Sequence, residues 1–342
     1  MSSDDDNDSD DDLPAELIGS LGDLVPGANG IPLPKIIKKS FWKSVAKLIT
    51  GSVDIGVAKL ESISSDTRAK TAAKNEVTRA AGKAAAIRLG ESDELGDRAL
   101  DFFANDIIGQ QRNRETIAKF AADEIAQDPP KEDAQSEIDE DWLNMFSDIA
   151  AKKSNEEMQL YMGKILAGEV RQPGSFSVAT IVLLAGLGGR EAHLFQKLCN
   201  ISMGIRTDKK IDSFTLVEPY GKPGNNDLQS LDLDYEALSD LRVAGLITPD
   251  LTTQKPFSWA TSVKFEICNR LAAFTKVHDK DIDLGSVGVI SLSRSGQELR
   301  TILTLAPTPD YIEKLQEWLR TKNLQMIYIL SDGTYVVATK NM

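Results

Sequence analysis

The hydrophobic pattern of this chain changes its period near residue 203, and that change limits the fold more than any other feature. Before it, apolar residues recur every three or four positions, as in KIIKKSFWKSVAKLIT from Lys35 and EEMQLYMGKIL from Glu156. This is the spacing of amphipathic helices. After it, short segments such as SVKFEIC (262–268) alternate between apolar and polar residues, as strands do. We therefore predict an α+β fold, with a mostly helical N-terminal two-thirds followed by a smaller mixed α/β region.

Breaks in composition divide the chain further. Residues 1–34 contain seven aspartates in the first twelve positions and then a Gly- and Pro-rich segment. Because this segment has too little apolar surface to offset its ordering entropy, we expect a disordered acidic tail. DPPKEDAQSE contains two consecutive prolines, which end a helix, and we interpret 129–138 as a linker. The predicted domains are a helical domain containing a basic amphipathic helix (35–128), a second helical domain (139–203) and a mixed α/β domain (204–342).

Spacing within the helical domains predicts which residues are buried. A helix that begins near Ser92 should bury one apolar face along its whole length. The first members of that face are Leu95, Ala99, Phe103 and Ile107. Upstream, small residues recur at helical spacing between 69 and 87 and would let another helix approach closely. Further along, Ser154 and Glu157 have the spacing of a capping box.

The order of elements after residue 230 is similar to a winged-helix module. A helix ends in AGLI (244–247), where we expect a strand at Leu246–Ile247, and a later strand leads into a helix in SLSRSGQELRTIL. The helix that would enter DNA carries several acids and only one Arg nearby, so phosphates would repel it. These acids are Asp232, Asp234, Glu236 and Asp240. We expect winged-helix-like elements without nucleic-acid binding.

The stretch KILAGEVRQPGSFS (164–177) predicts the end of one helix, a sharp turn and the start of another helix. Ser177 is a candidate N-cap, and Phe176 is placed to form a hydrophobic staple with the next helix. We interpret the stretch as a structural corner that fixes the entry angle of that helix, while Glu169 and Arg171 stay candidates for binding. The residues that we expect to be structural are Trp142, Gly168, Glu169, Pro173, Gly174, Phe176 and Ser177.

The same stretch carries a family resemblance. Together with IDEDWLNMF before it, and EAHLFQKL and SLSRSGQEL after it, it resembles an uncharacterised bacterial family whose members share these segments in this order. The resemblance covers most of the chain, and ILAGE–PGSFS is its specific part. The helical pair is also loosely similar to the abortive-infection alpha family. The resemblance implies a bacterial origin and a role in phage defence, and it supplies no catalytic residues.

The sequence contains no catalytic, cofactor or metal signature. The glycine-rich phosphate-binding patterns, the nucleophile elbow and HExxH do not occur. His193 and His278 have no cysteine at metal-ligand spacing, so we expect neither to bind a metal. Cys199 and Cys268 fit no disulfide framework, and no signal peptide is recognisable. These features predict a reducing cytoplasm.

The chain has a net charge of −13, and acidic and basic segments follow one another along it. Residues 1–34 carry nine acids and no base, residues 35–88 carry twelve bases and four acids, and the rest is acidic. We expect a non-enzymatic interaction or sensor protein whose N-terminal helices form a homo-oligomer or bind a protein partner. An alternative is a peripheral effector at the inner membrane, in which helix 35–49 binds anionic lipid and the acidic tail masks it.

The lipid-binding alternative rests on one helix and competes with a simpler interpretation, in which that helix packs its apolar face in the bundle and leaves its lysines in water. The candidate membrane or partner contacts are Lys35, Lys39, Phe41, Trp42, Lys43 and Lys47. A third interpretation, a winged-helix regulator, is disfavoured by the acidic helix described above.

Overall fold

A computed structural model describes residues 35–50, 93–129, 138–206, 211–220, 227–278 and 285–339. It divides into two compact units, with the boundary after Ile181. The predicted acidic tail at 1–34, residues 130–137 of the predicted linker and the alanine-rich stretch at 69–87 lie outside the described residues. Helices from both sides of that linker pack together in the first unit, and the finer domain boundaries stay a prediction.

The described helices lie mostly in the first two-thirds of the chain, and the strands all follow residue 202, which confirms the α+β class. The helices are α1 (Lys35–Thr50), α2 (Asp93–Gln127), α3 (Glu140–Ala151), α4 (Glu156–Arg171), α5 (Val178–Gly186), α6 (Gly189–Asn200), α7 (Tyr235–Val243), α8 (Arg294–Arg300) and α9 (Pro309–Thr321). The strands are β1 (Met203–Arg206), β2 (Ile211–Leu216), β3 (Thr253–Pro256), β4 (Lys264–Ile267), β5 (Arg270–Lys276), β6 (Ser286–Ser291), β7 (Leu324–Ile329) and β8 (Tyr335–Val337).

The core of the first unit forms where α1, α3 and α4 pack against the second half of α2. Ile117 and Ile125 of α2 and Phe146 of α3 are fully buried there. The approach of α4 to α2 is close because Gly163 has no side chain: a Cβ at that position would lie 2.5 Å from the Cβ of Phe120. Glycine at this position therefore sets the distance between α2 and α4.

Short polar side chains begin the helices, but not always the residues that the spacing suggests. The predicted capping box of Ser154 and Glu157 is wrong by one residue. Asn155 is the N-cap of α4, and its side chain accepts the N–H of Met158 at 3.0 Å. Asparagine caps at least as well as serine, and the helix consequently begins at Glu156.

The second unit is built on one antiparallel sheet of eight strands in the order β3-β6-β2-β1-β4-β5-β7-β8. A two-residue turn at Cys268 and Asn269, both with positive φ, joins β4 to β5. The predicted strand at Leu246–Ile247 is wrong, since the described structure has only an isolated bridge between Ile247 and Leu292 there. The chain turns sharply just before this bridge, because α7 ends at Val243 and Gly245 has a φ of +78°.

Aromatic rings and α9 fill one side of this sheet. Neighbouring ring centroids lie 4.6 to 6.4 Å apart, the range in which aromatic pairs contribute beyond their buried area. These rings are Phe214, Phe257, Trp259, Phe265, Phe274 and Trp318. The buried amide of Gln316 ties α9 to the sheet, because it donates to the carbonyls of Met326 and Ala338 and accepts the N–H of Met326.

Candidate functional site

The corner predicted at 164–177 is organised by a buried carboxylate. Glu169, in the last turn of α4, is 1% exposed. Its two oxygens accept the N–H groups of Gly174 at 2.5 Å and Phe176 at 3.0 Å. Gly174 has a φ of +84°, which favours glycine. The carboxylate therefore accepts hydrogen bonds from backbone N–H groups that the turn would otherwise leave unpaired.

Phe176 is held from two further sides. The indole N–H of Trp142 donates to the Phe176 carbonyl at 2.7 Å, and the Trp142 ring stacks on Phe146 with centroids 5.1 Å apart. The Phe176 ring lies over Gly168, where a Cβ would approach it to 2.6 Å. Trp142 and Glu169 thus form hydrogen bonds with the backbone of Phe176, and Gly168 leaves room for its ring.

Arg171 is also engaged within the fold, at the C-terminal end of α2. Its Nε donates to the carbonyl of Asp128 at 2.7 Å, and a terminal nitrogen donates to the carbonyl of Glu124 at 2.5 Å. The carboxylates of the same two acids lie 3.7 Å from the guanidinium. A cation at this position satisfies carbonyls that the helix end leaves open.

These contacts indicate that the residues of the corner have a structural role. The side chains that were candidates for binding, Glu169 and Arg171, are used to hold the turn and the end of α2. The Ser177 hydroxyl lies 3.0 Å from that of Thr180, and Pro173 precedes Gly174 directly in the turn. Sequence reasoning found the turn from Pro173-Gly174, but it did not predict that Arg171 reaches α2.

The basic helix α1 buries the two aromatic residues that would contact lipid. Phe41 and Trp42 are 0% and 1% exposed, with ring centroids 5.2 Å apart. Lys47 Nζ lies 3.8 Å from a carboxylate oxygen of Glu140. The side chains of Lys35 and Lys39 lie outside the described ones. Lipid binding through this helix would require it to leave the core of the first unit.

The exposure of side chains in the first half of α2 differs most from the prediction. The prediction that Leu95, Ala99, Phe103 and Ile107 are buried is wrong: all four are exposed, and Phe103 is 54% exposed. Phe102, which adjoins this face, is 75% exposed. The spacing identified an apolar face correctly, but the residues of α2 that are buried in the described structure all lie in its second half. We call the exposed set Leu95, Ala99, Phe102, Phe103 and Ile107 the α2 surface.

Titratable groups elsewhere do not form a reactive constellation in the described part of the chain. Among the described residues, no group of three or more His, Cys, Asp or Glu side chains could hold a metal ion. Burial raises the pKa of the Cys199 and Cys268 thiols, which disfavours reactive thiolates. His193 and His278 are exposed. The triple acid 139–141 begins α3, where Asp139 accepts the N–H of Trp142 at 2.8 Å.

One acidic group in the second unit has an unusual environment. Burial raises the pKa of Glu218, although the N–H of Gly288 donates to its Oε1. Within the described residues Glu218 Oε2 and the Tyr220 hydroxyl are buried without hydrogen-bond partners. Burial also raises the pKa of Tyr220 to about 12. Tyr311, stacked on Tyr220 with centroids 5.8 Å apart, donates its hydroxyl to the carbonyl of Leu216 at 3.2 Å.

Comparison with known proteins places the chain in a family. The model of a family described as "Protein of unknown function (DUF2806)" matches residues 97–316, which is more than half of the chain. The chain belongs to the DUF2806 family. This confirms the predicted membership of an uncharacterised family, while the similarity to the abortive-infection alpha family stays a prediction. Neither a curated protein nor a solved structure matches the chain significantly.

The DUF2806 match includes most of the α2 surface and all of the corner, and it ends inside α9. Strands β7 and β8 follow the matched range. Among the helices of the described residues, none combines the length and the apolar character needed to cross a bilayer.

Proposed function

We propose that this DUF2806 protein is a non-enzymatic interaction protein that assembles with further copies of itself through the α2 surface. The observation that carries the proposal is the exposure of Phe102 and Phe103, at 75% and 54%, on a helix whose first half lies outside the core. Exposed apolar patches of this kind mark interaction sites.

The two phenylalanine rings supply a substantial driving force. A phenylalanine buries roughly 150–250 Å² when fully covered, so covering the exposed parts of both rings would remove about 250 Å² per copy from water. At about 25 cal/mol per Å² this is about 6 kcal/mol per copy. Association itself opposes this term through lost rotational and translational freedom.

Charge indicates what covers the surface. Residues 93–110 contain five acids and one base, so two α2 surfaces facing each other would bring like charges together. Residues 68–88 contain six bases and one acid, with alanines at helical spacing. Because these two segments carry opposite charge, we propose that residues 68–88 of a second copy bind the α2 surface, and that the exchange is reciprocal.

Light scattering during size-exclusion chromatography at micromolar concentration tests this proposal. We expect the wild type to elute as an oligomer that dissociates as salt is raised, because the interface pairs opposite charges. The double variant Phe102→Ser, Phe103→Ser should be monomeric and still unfold cooperatively. A matched control is Tyr235→Ser, Val243→Ser, which removes two exposed apolar side chains from α7 and should leave the oligomer intact. A monomeric wild type would refute self-assembly.

A photo-reactive amino acid at Phe102 identifies the occupant. Cross-links to residues 68–88 within a covalent dimer would support the proposal. Cross-links confined to one chain would overturn it, because they would show that the surface is covered internally.

We further propose that this assembly acts in bacterial defence against phage. Support comes from the resemblance of the helical pair to the abortive-infection alpha family. Plating of phage on bacteria that express the wild type should fall relative to bacteria that express Phe102→Ser, Phe103→Ser at the same level. Equal plating on both strains would remove phage defence as the context and leave the interaction itself to be judged by light scattering.

A further inference from the structure

The two edges of the eight-stranded sheet differ in how they are protected. Edge strand β3 carries Lys255 and Pro256, the residue types that keep sheet edges from pairing with other chains. Edge strand β8 consists of Tyr335, Val336 and Val337 and has neither. The side chains of Tyr335 and Val337 are 69% and 40% exposed. Of the two edges, β8 therefore lacks the lysine and proline of β3, and only its short length protects it from strand addition.

Hydrogen bonds within the hairpin show which backbone groups of β8 point outward. Leu330 donates to the carbonyl of Thr334 at 2.8 Å, and Ala338 donates to that of Met326 at 3.0 Å. Hydrogen-bonded positions alternate along an antiparallel strand, so residues 334, 336 and 338 face β7. The N–H and C=O groups of Tyr335 and Val337 face the open edge, where no other described strand lies.

We propose that β8 pairs with β8 of a second copy, antiparallel, about a two-fold axis at Val336. In this register Tyr335 of each copy lies opposite Val337 of the other. All outward N–H and C=O groups of both strands are then paired, in four hydrogen bonds. A register centred on Tyr335 or Val337 would place one of these residues opposite a turn residue or a residue beyond the strand.

The side chains suit the same register. It brings no like charges together along 332–339. Tyr335 and Val337 share a sheet face with their register partners Ile329 and Ile327. The apolar face of one sheet would therefore continue across the seam into the other.

The seam is short, since each copy contributes a strand of three residues. Interfaces of small area are typical of weak, transient complexes, so a covalent trap is the appropriate measurement. The inference does not depend on the proposed function, because it uses residues of the other unit, and it is tested in the Phe102→Ser, Phe103→Ser background. Association through the α2 surface is then absent.

The variant Val336→Cys provides the test. Two residues on the axis form a non-hydrogen-bonded pair with Cα atoms about 4.5 Å apart, within disulfide range. Mild oxidation should give a covalent dimer on a non-reducing gel. The native Cys199 and Cys268 are 0% and 5% exposed, and the parent protein with these two cysteines alone should stay monomeric.

Cysteine substitutions at the neighbouring positions test the register of the two strands. Tyr335→Cys and Val337→Cys should each give little dimer alone, whereas a mixture of the two proteins should cross-link. Adding Val337→Lys to Val336→Cys should abolish the dimer band, and Gln254→Lys on the β3 edge should not. Absence of a Val336→Cys dimer at hundreds of micromolar would overturn the proposal. Equal cross-linking by all single-cysteine variants, including Gln254→Cys, would also overturn it, because random collision would explain that result.

Discussion

Replacing Glu169 by glutamine tests whether the corner is held by its buried carboxylate. In the wild type, two charge-assisted hydrogen bonds run from the N–H groups of Gly174 and Phe176 to separate oxygens. Glutamine keeps the shape and one acceptor oxygen, but its NH2 group would face the other backbone N–H. One bond to a charged group, worth about 1.5–3 kcal/mol, is lost, and the other weakens to the value of about 0.5–1.5 kcal/mol for a neutral pair. The free energy of unfolding should fall by about 2–4 kcal/mol.

Differential scanning calorimetry is the suitable assay, because the chain has two compact units and only the transition of the first should move. For a unit of this size, 1 kcal/mol corresponds to roughly 2–4 °C, so we expect its melting temperature to fall by about 5–15 °C. Glu156→Gln, at an exposed position of the same helix, is the matched control and should cost at most about 1 kcal/mol of helix-dipole stabilisation. A Glu169→Gln protein that melts within 1 °C of the wild type would refute the assigned role.

Four further predictions concern packing and buried polar groups. Gly109→Ala should stabilise the protein by about 1 kcal/mol, because a Cβ meets nothing within 4 Å there. Gly163→Ala should lower the free energy of unfolding in urea by about 1–3 kcal/mol, because its Cβ would overlap α2. Tyr311→Phe should cost about 0.5–1.5 kcal/mol by the same measurement, whereas Tyr220→Phe should be neutral or stabilising because its hydroxyl has no hydrogen-bond partner among the described residues. Glu218→Gln should stabilise the protein at neutral pH, and the gain should vanish in acid: the folded-state pKa is raised above 4.5, so the wild type loses stability as pH rises through that pKa. A gain independent of pH would contradict the role given to its charge.

Local patterns in the sequence predicted most of the secondary structure and the position of the corner. The turn at Pro173-Gly174 is encoded by two adjacent residues whose backbone preferences allow little else. The alternation of Phe265 and Ile267 likewise predicted a strand with one buried face, and both side chains are buried. Such features depend on neighbours a few positions away, which a sequence displays directly.

Contacts between distant segments could not be predicted in this way. The spacing of Leu95 and Phe103 predicts that one face of α2 is apolar, but not that the residues of α2 buried in the described structure all lie in its second half. Arg171 reaches carbonyls more than forty positions earlier in the chain, and nothing in the local sequence marks this pairing. The order of strands, and hence the identity of the β8 edge, is similarly a result of tertiary packing.

The two proposed interfaces make a joint prediction about assembly size. A chain with one two-fold interface stops at a dimer, whereas two different two-fold axes extend the assembly beyond it unless the axes coincide. Sedimentation velocity should therefore show wild-type species that grow past the dimer as concentration rises. Val337→Lys should stop at a dimer held by the α2 surface, and Phe102→Ser, Phe103→Ser should show only the weak dimer formed through β8. Combining the three substitutions should give a monomer at every concentration. A triple variant that still associates would show that another surface joins the copies. The two proposed interfaces would then not explain the assembly.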